Sequence, residues 1–448
     1  MPLSTTKQPC SCSASWMRAP RCSPIWAATA RFEVRSMQYG LIGEKLGHSY
    51  SAILHALLAD YAYELCPMPP EAVDGFMREA AFQGINVTIP YKKVVVPYLQ
   101  EVGETARRIG SVNTVVKRPD GTLFGDNTDA YGFARMAESI GVDFRGQKVL
   151  VLGSGGTSLT ACDVVRQAGG TPVVVSRSGN VTYADLPAHT DATYLINTTP
   201  VGMYPGVHAA PVDLSTLPNL KGVLDVIYNP LRTQLLEQAA QLGIPCTGGL
   251  RMLVYQAVRA CELFTGQPVA PERAQAAEAA LRAKSMNLVL IGMPGCGKTT
   301  IGQELAALTG REAVDTDQLI ADEAGMSIPE IFEKEGEAGF RAREKEIIHR
   351  EALVGGRILI TGGGAIKDAQ NRAVLRMNGY VAQLTRPLEQ LATGGRPLSA
   401  GGLEAVEKLY RERAPLYAAC ADAVFSNETT PAQCAEAIRE GFDEALRA

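Results

Sequence analysis

Apolar and polar residues follow two periods along this chain, and the switches between them mark out its elements. From Tyr39 to about Gly141 the apolar run YGLIG gives way to SAILHALLADY, whose apolar residues recur at helical spacing, and GINVTIP alternates before a proline stop. Short apolar runs bounded by turn residues predict strands, and a spacing of three and four predicts helices. KVLVLG opens a second series that continues through TPVVVS, TYLINTT and GVLDVIY, and GLRMLVYQAVRACELFTG then places its apolar residues on one helical face. QPVAPERAQAAEAALRAKS comes next, rich in Ala, Glu and Arg with no large apolar stripe, which predicts a helical, semi-rigid spacer. A third strand–helix series runs from Met286 to the C-terminus. Strands alternating with helices in this way predict α/β domains built on parallel sheets.

Length and composition sharpen the picture only at its edges. At 448 residues the chain fits about three domains of roughly 150 residues each. A net charge of −4 with 20% charged residues points away from a nucleic-acid partner, and no apolar run approaches the roughly 20 residues needed to cross a bilayer. The ten cysteines hold no CxxC pair, which argues against zinc and disulfide frameworks and leads to the expectation of a cytoplasmic protein. Residues 1–36 stand apart, with five Lys/Arg against the single acid Glu33, six serines and both tryptophans. Such a leader fits an organelle transit peptide, a disordered extension or a start assigned too early, since MQYGLIG at Met37 is itself a credible beginning.

Two glycine-rich turns carry the first chemical signal. GMPGCGKT, Gly292 to Thr299, fits G-x-x-x-x-G-K-[ST] between a predicted strand and a helix. There the backbone N–H groups of Gly295, Cys296, Gly297, Lys298, Thr299 and Thr300 can turn toward phosphate oxygens, the Lys298 ammonium can bridge the terminal phosphates of ATP, and the Thr299 hydroxyl can ligate Mg²⁺. Beyond it lie Asp315 and Asp317, on one side if extended; Arg341 and Glu344, on one helical face; Gly362, Gly363 and Gly364; Arg396; and Arg413. Together they suggest a small anionic, hydroxylated phosphate acceptor.

The second turn is VLVLGSGGTSLTA, where Gly153, Ser154, Gly155, Gly156 and Thr157 open a helix and Ser158 replaces the usual third glycine. After the next strand come Ser176, Arg177 and Ser178 in place of the acid that binds a ribose 2′-hydroxyl, a choice suited to the 2′-phosphate of NADP. Upstream, Ser49 and Ser51 (on one side if extended), Asn86, Thr88, Lys92, Asn113 and Asp129 gather hydroxyl, amide, amine and carboxylate groups, and a Lys–Asp pair in a cleft can move a proton between a carbonyl and an alcohol.

From Met286 to Ala448 the D-T-D, F-R-x-x-E, G-G-G, R-P-L and R-A-P-L-Y motifs make the chain resemble shikimate kinase. That resemblance implies that Asp317 contacts the ring hydroxyls and activates the attacking one, that Asp315 reaches Mg²⁺ through water, and that Arg341 and Arg413 clamp the shikimate carboxylate beside Gly363 and Gly364. Arg396 would stabilise the transferring phosphoryl group from a lid, LATGGRPLSAGG, which looks short and has Ala392 where some relatives carry a basic residue. From Met37 to about Gly266 the motifs S-x-S, N-V-T-x-P-x-K, V-N-T, N-T-D-x-x-G, N-T-T-P-x-G-M, Y-N-P and G-L-x-M-L-V-x-Q-A make it resemble shikimate dehydrogenase. Here the resemblance implies Lys92 and Asp129 as the catalytic pair. It assigns Ser49, Ser51, Asn86, Thr88, Asn113, Tyr228 and Gln256 to the substrate, and Asn197, Thr198, Met203 and Gly249 to the nicotinamide side of NADP(H). Ala52 and Gln234 depart from prolines common at those places, without removing a functional group.

The expected organisation is therefore a leader (1–36), a shikimate-dehydrogenase-type substrate domain (37–137), a Rossmann NADP domain (138–245), helices returning to the substrate domain (246–268), a helical linker (269–285) and a P-loop kinase domain with a central parallel sheet (286–448). The expected partners are 3-dehydroshikimate and shikimate, with no nucleic acid or membrane, in a monomer or homodimer. The alternative reading is an active dehydrogenase carrying a non-catalytic, shikimate-sensing kinase-like module.

Overall fold

Three sheets, each with its own helical cover, succeed one another along the chain in the computed structural model, which describes residues 37–47, 49–391 and 402–447. The first comprises β1 (Tyr39–Gly43), β2 (Tyr63–Pro67), β3 (Gly84–Val87), β4 (Glu101–Val102), β5 (Thr114–Lys117) and β6 (Leu123–Asp126), in the order β2-β1-β3-β5-β6-β4. It is mixed: β1 runs parallel to β2 and β3, while β5 is antiparallel to both β3 and β6.

The second sheet is wholly parallel, with β7 (Lys148–Leu152), β8 (Thr171–Val175), β9 (Tyr194–Asn197), β10 (Gly222–Asp225) and β11 (Cys246–Gly248) in the order β11-β10-β9-β7-β8. The chain leaves β7 for β8 on one side and then crosses back to β9 on the other, so a topological switch point lies at the carboxyl ends of β7 and β9. The third sheet is also parallel: β12 (Asn287–Gly292), β13 (Ala313–Asp315), β14 (Ile358–Ile360), β15 (Gly379–Thr385) and β16 (Ala423–Ser426), ordered β13-β14-β12-β15-β16. Central β12 is buried along its whole length, as its unbroken apolar run requires with both faces covered.

The helices Asp129–Glu138 and Leu250–Thr265 join the first two sheets. Gly132 sits where they cross, and a Cβ there would overlap the Met252 carbonyl and crowd the backbone of Gln256. The glycine of N-T-D-x-x-G thus brings Gln256 up to the helix that begins with Asp129.

The stretch expected as a linker is indeed helical, from Pro271 to Ser285, but it is no solvated spacer. Ala274, Ala277 and Leu281 are buried against Leu54, Leu58, Val258 and Cys261 in one apolar cluster, and Arg251 bonds to Glu278 at 3.0 Å. Alanine suffices on this face because the neighbouring helices lie close. Leu281→Ala should therefore destabilise the protein by about 2–5 kcal/mol, as for other fully buried leucines. The check is the urea midpoint, which exposed Gln275→Ala should leave unchanged.

Candidate active sites

The first site lies in a cleft of about 460 Å³ between the first sheet and the helix Leu250–Thr265, lined by Ser49, Ser51, Asn86, Thr88, Lys92, Asn113, Asp129, Thr157, Tyr228, Gly249 and Gln256. All the residues expected at the substrate and the proton-transfer pair meet here. Lys92 Nζ donates to Asp129 Oδ2 at 2.6 Å, and Asn113 Nδ2 donates to Asp129 Oδ1 at 2.9 Å, so both carboxylate oxygens are fixed. Asp129 opens its helix, where its own N–H is received by Asn127 Oδ1 and its charge suits the helix dipole.

One detail differs from the spacing expectation, and a second concerns Asn86. Ser49 and Ser51 do not share an extended strand: Ser51 begins a helix, and its N–H donates to Ser49 Oγ at 3.2 Å. Asn86 is buried with its amide already engaged, for Nδ2 donates to Thr114 Oγ1 and Asn113 O while Oδ1 accepts from the Tyr63 hydroxyl at 2.7 Å. It shapes the floor of the cleft, and Asn113 and Asp129 stand above it. Behind Tyr63, His55 stacks at 3.8 Å and is held neutral because burial pushes its pKa down to about 3.

At the switch point Gly153 adopts φ 101°, a conformation that favours glycine, and a Cβ there would press on Thr198 and Thr199 at 3.0 Å. Gly155 and Gly156 have open space where side chains would stand, at the start of the helix Gly156–Gln167. Ser158, in the third glycine position, is buried in the first turn of that helix. The pairing of Leu152 with Val175 sets this cradle beside Ser176, Arg177 and Ser178; the first is buried and the other two exposed. Open glycines, a helix N-terminus and an exposed guanidinium fit a dinucleotide with a 2′-phosphate. Thr198 Oγ1 donates to Leu152 O at 2.6 Å, Gly249 caps its helix hard against Val226, and Met203 is exposed on the loop that follows Asn197.

The second site is a cleft of about 1250 Å³ at the carboxyl edge of the third sheet. Gly295 and Gly297 take φ 87° and 97°, turning the loop around the N-terminus of the helix Lys298–Thr309, and Thr299 and Thr300 are exposed at its first turn. Lys298 Nζ donates to the carbonyls of Gly292 and Met293, which anchors the ammonium at the loop. Cys296 is fully buried, and its Sγ also receives Lys298 Nζ at 3.9 Å. Thr299 Oγ1 donates to Asp315 Oδ2 at 3.0 Å, so a hydroxyl and a carboxylate converge as a hard-oxygen set suited to Mg²⁺. Asp315 ends β13 and caps the next helix, receiving the N–H groups of Asp317 and Gln318; the two aspartates flank a helix start, not an extended run.

Asp317, Arg341, Gly363, Gly364 and Arg413 line the same cleft. Arg341 donates to Glu344 at 2.7 Å across one helical turn, as the i, i+3 spacing predicts. Burial raises the Glu344 carboxyl and nearby Asp317 adds to this, against the pull of Arg341. Arg413 and the Tyr417 hydroxyl both donate to Gly363 O, at 2.8 and 2.6 Å. Arg396, Ala392 and the rest of 392–401 lie outside the described residues, as does the leader 1–36.

Two supporting residues escaped the sequence reading. Asn427 Nδ2 donates to Cys296 O at 2.8 Å and holds the phosphate loop from a position with no local signal. Asp225, at the end of β10, is fully buried and accepts from Asn197 Nδ2 at 3.0 Å, Ile227 N at 3.1 Å and Thr233 Oγ1 at 2.7 Å. An acid ending an apolar strand was its only signal.

Comparison with known proteins matches segments of the chain to two families. The shikimate dehydrogenase substrate binding domain matches residues 41–115, the shikimate 5′-dehydrogenase C-terminal domain 249–281 and shikimate kinase 294–443. The NADP-dependent shikimate dehydrogenase of Clostridium perfringens strain SM101 is 35% identical over 250 residues, spanning 51% of this chain and 92% of the relative. That of Geobacillus kaustophilus is 36% identical over 256 residues, 51% and 92% respectively. Among solved structures, a chorismate mutase/shikimate 5-dehydrogenase fusion protein from Clostridium acetobutylicum superposes with a TM-score of 0.52 at 33% identity, covering 56% of this chain and 99% of that one. Among the described residues no helix is long and apolar enough to cross a membrane.

The buried Asp225 carries a pH signature. Burial raises its carboxyl to about 6, while bonds from Thr233, Ile227 and Asn197 limit the rise. An acid whose folded pKa lies above its unfolded value of about 3.9 holds a proton in the folded state that it loses in the unfolded one, so stability falls as pH rises through that window. Asp225→Asn keeps an acceptor and cannot titrate. The difference in urea midpoint, variant minus parent, should therefore grow between about pH 4 and 6 and then level off.

Proposed function

Because the chain belongs to the shikimate dehydrogenase family and continues into a shikimate kinase domain, making it a dehydrogenase–kinase fusion, we propose that it catalyses two consecutive reactions. The first is reduction of 3-dehydroshikimate to shikimate with NADPH. The second is transfer of the γ-phosphoryl group of ATP to the 3-hydroxyl of that shikimate. The observation that carries the reading is the Lys92–Asp129 pair at 2.6 Å, set in a cleft whose other polar groups suit a carboxylate and ring hydroxyls.

When bound, NADPH supplies the hydride that reduces C3. Lys92 gives a proton to the C3 oxygen, Asp129 aims the amine, and Asn113 fixes Asp129. Ser49, Ser51 and Thr88 offer hydroxyls to the substrate carboxylate and ring, with Gln256 and Tyr228 from the facing elements. In the kinase half, Lys298 and the backbone N–H groups of residues 295–300 hold the phosphates of ATP, and Thr299 with Asp315 would hold Mg²⁺, which supplies charge neutralisation when bound. Asp317 orients the 3-hydroxyl and takes its proton, while Arg341 and Arg413 grip the carboxylate with planar guanidinium forks. By resemblance Arg396 stabilises the transferring group. The hydroxyl made in the first reaction is thus the nucleophile of the second.

The test is to incubate the full chain with 3-dehydroshikimate, NADPH and MgATP and to follow products by mass spectrometry. Shikimate 3-phosphate should form. Lys92→Ala should lower the reductase kcat by roughly 10²–10⁴-fold, the range for a lost proton donor. Lys298→Ala should leave shikimate accumulating without phosphate. If the parent chain also stops at shikimate, the kinase half binds its ligand without turning it over. In a second experiment, Arg177→Ala should raise KM for NADPH by roughly 10-fold or more, the worth of a charged hydrogen bond, with little change for NADH.

A further inference from the structure

The two halves meet through a specific patch. Leu231 N donates to Asn378 Oδ1 at 2.8 Å and Arg232 N to Met377 O at 2.9 Å; Arg232 pairs with Asp422 at 3.2 Å and Glu237 with Arg376 at 3.0 Å. Val207 is fully buried within the apolar cluster of the kinase half, and the His208 ring lies 4.9 Å from that of His349.

On the kinase side these groups occupy one edge of the sheet. Asn378 immediately precedes β15 and Asp422 precedes β16, and Asn378 O also accepts from Asn287 N at the start of β12. The phosphate loop leaves the opposite, carboxyl end of β12. The docking edge is therefore remote from the kinase chemistry.

On the dehydrogenase side the same groups lead directly into the cofactor half of the site. Leu231 and Arg232 run into Thr233, whose hydroxyl donates to Asp225 at 2.7 Å, and Asp225 accepts from Asn197 Nδ2 at 3.0 Å. Asn197 Oδ1 in turn receives both the N–H and the hydroxyl of Thr199, at 3.0 and 2.7 Å. Tyr204 N donates to Asn229 O at 3.1 Å and ties the two loops together. Two backbone N–H groups of this relay, those of half-buried Leu231 and Arg232, have their acceptors in the kinase half, so docking fixes the conformation of 229–232.

We propose that the amino-terminal strand edge of the kinase domain is a built-in positioning surface for the nicotinamide-flanking loop, Asn197 to Met203, acting through Leu231, Thr233 and Asp225. The inference rests on the reading of that loop as part of the NADPH site. Docking holds the loop in its binding geometry, and loss of docking weakens NADPH binding while leaving ATP binding intact.

The test uses the full chain with Glu237→Arg, with Arg376→Glu and with both together, plus the milder Asn378→Ala. NADPH and ATP affinities are measured by calorimetry, and amide exchange is followed across 197–209 and 229–233. Each single charge reversal and Asn378→Ala should weaken NADPH binding by about fivefold and speed exchange in both loops, in the range of modest site-to-site coupling. The double reversal should restore both, and ATP affinity should stay constant throughout. Unchanged NADPH affinity in variants whose 229–233 amides exchange faster would overturn the proposal, as would NADPH and ATP affinities falling together. A parent chain that binds no NADPH would overturn the underlying reading of the site, and this inference with it.

Discussion

A parallel strand must return across the face of its sheet before the next can begin, and this constraint organises the molecule. It collects the carboxyl ends of the strands, with the helix N-termini that succeed them, at one edge of each parallel sheet. Those ends carry N–H groups with no intrahelical partner, which anionic ligands can satisfy. The Gly153 cradle and the Gly295–Gly297 loop are two instances, placed on different sheets by the same geometry. The opposite edge, where strands begin, is left free of ligand chemistry. In the third sheet that edge meets the dehydrogenase half.

Around both clefts buried polar groups fix positions that apolar packing could not. A methyl group in place of the Asp225 carboxylate would fill space but would leave three donors unmet. Glu344 is costly to bury, and its partner Arg341 gains one fixed orientation toward the cleft from that burial. His55, Tyr61 and Cys261 form a neutral version behind the substrate floor, with the His55 ring bonded to Tyr61 at 2.7 Å. Burial raises the Cys261 thiol to about 11, so it remains protonated beside them.

The groups gathered in the two clefts were legible because each sits in a short motif whose neighbours are local. G-x-x-x-x-G-K-T dictates its own loop, and Lys92 and Asp129 stand in motifs that a fold resemblance can align although they lie far apart in sequence. The F-R-x-x-E pair arises from helical geometry alone. Extended backbone was the wrong premise at two places: Ser49–Ser51 and Asp315–Asp317 both straddle helix starts, where capping has replaced alternation. Asn427 was invisible and Asp225 nearly so, because Cys296 in the one case and Asn197 in the other are brought to them by tertiary packing. The alanine-rich helix looked like a spacer for a related reason. Its burial depends on how near the neighbouring helices come, and a small residue gives no sign of that in sequence.

The same helix also sets how the halves are joined. It packs on the dehydrogenase half and ends at Ser285, while β12 begins at Asn287, so a single residue, Met286, connects the two. Arg311 clamps the joint by donating to the carbonyls of Ala283 and Met286, at 2.7 and 2.8 Å. Each residue added to an α-helix rotates the chain beyond it by about 100° and advances it by about 1.5 Å. The junction is thus a phased coupling, closer to a keyed shaft than to a cord. Transplanting the kinase onto another dehydrogenase would require the incoming helix to end in the same rotational phase, and a splice displaced by one codon would aim the docking edge away from its partner.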